Sequence, residues 1–191
     1  MKKQLLLAFV GTALLAPWAA QAEGAYVGVN VGRAEQKASI AEGSLKDNST
    51  GYKLYGGYAL NQNFGLEGGY VDLGKASVSS RNGAVTSKIS SKPNAFYLAA
   101  TGTLPLNDQF SLFAKLGVSL NHTKIHFEDT TGANENSSKR RTTALIGIGA
   151  AYNISKEMAL VAEYEDFGKI ARADGLDLKA NLFSIGLRYK F

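Results

Sequence analysis

The sequence predicts an all-β fold, an eight-stranded antiparallel transmembrane up-and-down β-barrel, and three observations carry that prediction. Eight segments alternate apolar with small or polar residues at period two, as a strand with one greasy face must. The connections between these segments are alternately short and long. The last segment, residues 181–191, ends on an aromatic residue, Phe191, that belongs to the greasy face. A barrel closed in lipid accounts for all three: apolar side chains face outward, and the last strand pairs with the first so that no edge remains.

Taken in order, the chain opens with a targeting segment. Lys2 and Lys3 precede the apolar run from Leu5 to Ala16, followed by Pro17 and the small-residue site Ala20-Gln21-Ala22. That layout is a secretory signal peptide, residues 1–22, and the run is too short for a spanning helix. Residues 23–191 are then expected to form one outer-membrane β-barrel domain.

The first strand alternates Ala25, Val27, Val29 and Val31 with Tyr26, Gly28, Asn30 and Gly32. The second sets Tyr52, Leu54, Tyr58 and Leu60 against Lys53, Tyr55, Gly57 and Ala59, and the third sets Phe64, Leu66 and Tyr70 against Gly65, Glu67 and Gly69. Phe96 to Leu104, Phe110 to Leu120, Ala144 to Tyr152 and Leu160 to Tyr164 repeat the pattern, and Phe183 to Phe191 completes the eighth. Asn61-Gln62-Asn63, Asn107-Asp108-Gln109 and Ser155-Lys156-Glu157 read as tight turns. Residues 34–50, 74–92, 122–142 and 167–180 read as long polar loops. This alternation is the outer-membrane arrangement, with short turns and both termini in the periplasm and long loops outside. A soluble lipocalin-like barrel would place the apolar parity inward. Aromatics near strand ends (Tyr58, Phe64, Tyr70, Phe96, Phe110, Tyr152, Tyr164, Tyr189) argue for the membrane instead, as an interfacial girdle.

Composition narrows the function classes. There is no cysteine, so no disulfide framework carries stability. Setting aside Lys2 and Lys3, the 21 basic residues become 19 against 16 acidic ones, a mild excess without the clustered stripe that nucleic acid requires. Mean hydropathy of −0.10 suits a barrel, because only one face of each strand is apolar.

With the strands placed, the stretch YGGYALNQNFGLEGGYVDLG, Tyr55 to Gly74, resembles strands two and three of the OmpA-like transmembrane barrel family. The likeness runs on through TLPLNDQFSLFAKLG, AYNISKEMALVAEYE and the closing SIGLRYKF. It implies insertion by the outer-membrane assembly machinery, with Phe191 as the assembly signal. In layout the chain is similar to the small stand-alone barrels related to OmpX and Opa, and the domain that follows the barrel in OmpA is expected to be absent. The resemblance also implies a polar network in the lumen, matched here by Glu67, Lys115 and Glu163. Asn30, Thr101, Ala151 and Val161 stand where the family has charged partners, so a salt-bridge switch is not carried over.

By parity, Lys53, Glu67, Lys115, Glu163, Glu165, Arg188 and Lys190 face inward, and the network is assigned to Glu67, Lys115, Glu163 and Arg188. Buried charges must pair, and eight strands leave an interior just filled by side chains. Ser119, His122, His126 and Glu128 form the only grouping with the residue types of a hydrolase, and they lack a His-x-Ser pair. No catalytic residue, cofactor or metal is assigned; two histidines do not make a metal site. Lys139, Arg140 and Arg141 are positioned to contact the phosphates of lipopolysaccharide. The expected function is a structural and surface-interaction barrel, a monomer in the outer-membrane lipid whose loops meet a host surface ligand. The alternatives are a lipid A-modifying enzyme and a narrow ion channel.

Overall fold

The computed structural model describes residues 24–40, 43–82, 85–129, 134–173 and 176–191; the signal-peptide segment lies outside the described residues. Among the described residues nine strands follow one another: β1 (Ala25–Ile40), β2 (Gly43–Ala59), β3 (Phe64–Asp72), β4 (Ala76–Asn82), β5 (Val85–Pro105), β6 (Phe110–Asp129), β7 (Asn134–Asn153), β8 (Met158–Ala173) and β9 (Leu176–Lys190). Every neighbouring pair is antiparallel, and β1 pairs with β9, so the sheet closes. The eight expected strands are eight staves, with the third interrupted. Both β3 and β4 pair with β5, and between them Gly74 adopts a φ of 72°, a left-handed conformation that breaks the ladder.

Register fixes the geometry of closure. The row that starts at Asn48 passes through Glu35, Asn181, Asp166, Ile146, Leu116, Ala100 and Leu66. It returns to β2 at Tyr58, ten residues from where it began. A shear of that size over eight staves tilts the strands by about 40°. Outward residues of β6 from Phe110 to Leu120 are apolar and exposed throughout. Ten residues at about 3.3 Å each, tilted so, span roughly 25 Å, the height of a barrel's lipid-facing band.

The turn end and the hairpin end are built differently. Asn61 Oδ1 accepts from the amides of Asn63 (2.9 Å) and Phe64 (2.8 Å), and Asn107 Oδ1 accepts from Gln109 (2.9 Å) and Phe110 (2.7 Å). Ser155 Oγ does the same for Glu157 (3.2 Å) and Met158 (3.0 Å). A short polar side chain folds back onto its own backbone in each case, which stops the ladder and reverses the chain.

At the other end the expectation of long loops is corrected. Residues 34–50, 74–92, 122–142 and 167–180 are largely strand: Arg33 to Ile40 pair with Gly43 to Thr50, and Ala95 to Ser87 with Asn121 to Asp129. Beyond the apolar band the outward face turns polar while Ala34, Phe167, Ile170 and Ala180 still pack inward, so the band's pattern of hydropathy is lost while backbone pairing continues. The staves therefore run on as hairpins.

Candidate functional site

Three successive inward positions of β7 are small, Gly147, Gly149 and Ala151, while cross-strand neighbours of the two glycines are long. Gly147 stands between Lys115 on β6 and Glu165 on β8, and Gly149 between Phe113 and Glu163. The glycines leave the space in which side chains of β6 and β8 meet side chains arriving from β2, β3 and β9. Two tyrosines close the opposite wall by a reciprocal fit. Tyr26 lies over Gly57 and Tyr55 over Gly28, each glycine being the direct cross-strand partner of the ring that covers it.

The result is a closed charge cluster. Lys115 Nζ lies 2.5 Å from both Glu67 Oε1 and Glu163 Oε2, and 3.4 Å from Glu165 Oε1. Lys53 Nζ bridges Glu163 and Glu165, the latter at 2.9 Å. Arg188 reaches Glu67 Oε2 at 3.7 Å. Three carboxylates thus meet three cations, and the side chains of the two lysines and three glutamates are fully buried.

Neutral groups take the remaining lone pairs. Tyr97 (2.7 Å) and Tyr26 (3.1 Å) donate to Glu67, and Asn30 donates to Glu163 (2.6 Å) and Ser184 (3.2 Å). The cations also lie over aromatic faces: Lys53 is 4.7 Å from the Tyr55 centroid and Arg188 is 4.6 Å from that of Tyr26. Removal of an ion from water costs several kcal/mol, and this density of partners is what allows charges to sit there at all.

Glu67, Lys115, Glu163 and Arg188 are brought together, joined by Lys53 and Glu165. Lys190 is not part of the group: it donates to Asn153 Oδ1 (2.7 Å) at the turn end. Tyr26, Asn30, Tyr97 and Ser184 are members that sequence reasoning did not assign. Their only signal was a polar side chain on the inward parity, which many strands share.

Toward the hairpin end the lumen turns apolar. Leu73, Leu145, Phe167, Ile170 and Leu182 are 0% exposed and pack across the bore. Phe167 and Ile170 are three residues apart, so a regular strand would point them to opposite faces. A bulge in β8 around Gly168, at φ 66°, shifts the register and turns both inward. Toward the turn end a vestibule of about 360 Å³ opens between Tyr26, Thr101, Phe113, Arg188 and Lys190.

Within the Ser/His/Glu grouping, Ser119 and His122 fall on opposite faces of β6. Ser119 is fully buried and donates to Asn121 Oδ1 (3.1 Å) inside the barrel. His122 carries the parity of Leu120 and Leu116, on the outer wall; the side chain of Glu128 lies outside the described residues. Lys139, Arg140 and Arg141 sit within β7, not at a loop base, and alternation splits them. Arg140 shares the outward parity of Thr142 and Ile146, while Lys139 and Arg141 take the other. Phe191 closes the seam: its amide donates to Ala25 O (2.9 Å) and its ring meets that of Tyr189 edge-on at 5.1 Å.

Comparisons with known proteins agree with this architecture. The family model described as the OmpA-like transmembrane domain matches residues 20–191. Outer membrane protein P5 of Haemophilus influenzae is 29% identical over 88% of this chain and 52% of its own length. Outer membrane protein A of Salmonella typhi is 25% identical over 78% and 42%. The chain thus spans about half the length of the curated relatives it matches.

Among solved structures, Ail, the attachment invasion locus protein of Yersinia pestis, superposes with a TM-score of 0.57 at 20% identity. That match covers 87% of this chain and 99% of Ail, which was crystallised with the heparin analogue sucrose octasulfate. Neisserial surface protein A gives 0.51 at 20% identity, over 88% and 98%. OprG of Pseudomonas aeruginosa gives 0.52 at 13%, over 89% and 97%. These likenesses show the shared barrel. The chain belongs to the family of OmpA-like transmembrane domains and is a β-barrel of the bacterial outer membrane.

Proposed function

We propose that this barrel is a structural and surface-interaction protein whose hairpin ends carry recognition. One observation supports the reading above the others. The lumen is shut twice, by the buried charge cluster and by the apolar layer of Leu73, Leu145, Phe167, Ile170 and Leu182. Two packed layers in series oppose the passage of a solute, and the hairpins that continue past the apolar band are the part that can vary on a rigid support. The turn end and both termini lie in the periplasm, the hairpins face outward, and residues 1–22 are the cleaved export signal. Phe191 is read by the assembly machinery, and Lys139, Arg140 and Arg141 contribute to contact with lipopolysaccharide, Arg140 laterally. The partner class is a host surface or serum component, such as the sulfated polymer whose analogue was found with Ail.

The test is to replace the outer parts of the β4–β5 and β6–β7 hairpins with short turns. Folded and boiled protein should still migrate differently on a gel, while binding of whole cells to host surfaces falls to the level of the gene deletion. Cells that keep every deletion-sensitive binding phenotype would show that the hairpins do not carry the activity.

A further inference from the structure

Just beyond the apolar band, the outer wall holds a cavity of about 470 Å³ lined by Lys75, Lys92 and Lys124, with Ser90, His126 and Ser138. Lys92 and Lys124 are direct cross-strand partners on β5 and β6, and Ser138 of β7 stands opposite Lys124. Lys75 enters the same cavity from the link between β3 and β4. Like charges directly opposite each other destabilise a sheet. No carboxylate is among the described residues lining the cavity.

A second cross-strand row, Lys46, Lys37, Lys179 and Lys169, crosses the far side of the barrel. There Glu35 pairs with Lys46 at 3.4 Å, so that row carries some of its own countercharge. Among the described residues no carboxylate pairs with Lys75, Lys92 or Lys124, and these lysines with the neighbouring hydroxyls are the donor set of an anion site.

Position selects the anion. Lys124 lies four residues past Leu120, and Lys92 four before Phe96, both on the outward parity of the apolar wall. Four residues on a strand tilted by about 40° rise roughly 10 Å, into the headgroup layer, and a lysine stem can reach back several ångströms more. The side chains point sideways into the leaflet.

We propose that Lys75, Lys92 and Lys124 form a docking site for the phosphate groups of a neighbouring lipopolysaccharide molecule. The assignment rests on the outward orientation of the hairpins proposed above, and not on any host ligand. It places the principal glycolipid contact on β5 and β6, beside the Lys139–Arg141 segment. The serines supply neutral donors to the same oxyanions.

The test uses the full-length protein in neutral-lipid nanodiscs, titrated with bisphosphorylated lipid A, dephosphorylated lipid A and a soluble sulfated oligosaccharide. The wild type should bind the bisphosphorylated form and not the dephosphorylated one. Each lysine near an anionic lipid surface contributes roughly fivefold in affinity, so K75Q/K92Q/K124Q should lose on the order of a hundredfold. K156Q, at the turn end, should bind as the wild type does. Gel heat-modifiability checks folding; if the triple variant fails to fold, K92Q and K124Q singly should each lose a few-fold. Equal binding of wild type and lysine variants, or equal binding of both forms of lipid A, overturns the proposal. Sulfated oligosaccharide binding that depends on these lysines while lipid A binding does not would make the cavity a soluble-ligand site, and would overturn it too.

Discussion

Glu163 shows how much rests on one side chain. It accepts from Lys53, Lys115 and Asn30 at once, so Glu163→Gln leaves two buried ammonium groups short of countercharge. Unfolding free energy in urea, followed in detergent micelles, should fall by about 3–5 kcal/mol. Glu67→Gln should fall in the same range, since Glu67 serves Lys115, Arg188, Tyr26 and Tyr97. Glu35→Gln is the contrast: its partner Lys46 is half exposed, and the loss should stay below about 1 kcal/mol. Equal effects at Glu163 and Glu35 would mean that the cluster is hydrated. Glycine fit is tested in the same way. A Cβ at Gly57 would run into the Tyr26 ring, so Gly57→Ala should cost about 1–3 kcal/mol by overpacking. At this scale the sequence was legible where parity alone decides. Glu67, Lys115, Glu163 and Arg188 sit on inward positions, and period two reveals that. Phe167 and Ile170 were not legible, because the bulge at Gly168 swaps the faces on which period two depends.

At the scale of the strand, alternation located every stave inside the apolar band and lost each one above it. From Arg33 to Ile40 the outward parity turns polar (Arg33, Glu35, Lys37, Ser39) and the other parity turns largely apolar (Ala34, Ala38, Ile40, with Gln36 between), the reverse of the band below, yet the ladder to β2 continues pair by pair. Hydropathy reports surroundings, whereas pairing reports backbone, and the two part company where the lipid ends. The tight turns were visible because Asn61, Asn107 and Ser155 do their work locally. Asn107→Ala removes the acceptor for two amides and should cost about 1 kcal/mol in the same urea assay, without change of fold. No change at all would mean that water replaces Oδ1 fully. Phe191 belongs to the seam between first and last strands. Deleting it removes one seam hydrogen bond and an exposed ring, so folding into detergent in vitro should be nearly intact. The amount reaching the outer membrane in cells should drop several-fold, as quantified by fractionation and blotting; unchanged levels would remove its role as an assembly signal.

For the whole molecule, a shear of ten residues over eight staves gives a bore narrow enough for side chains to span, and two unlike layers of them cross it above the vestibule. The charged layer balances three carboxylates against three cations; the apolar layer excludes water on the hairpin side. Together they underlie the role proposed above, that of a rigid mount whose ends and outer wall interact. Such a mount has a sealed lumen, and conductance across a bilayer reports on the seal. Purified, folded protein inserted into planar bilayers in molar salt should give no discrete current steps above the leak of protein-free membranes at either polarity. Reproducible unitary steps, lost when the protein is unfolded before addition, would contradict the account and move the function back into the bore.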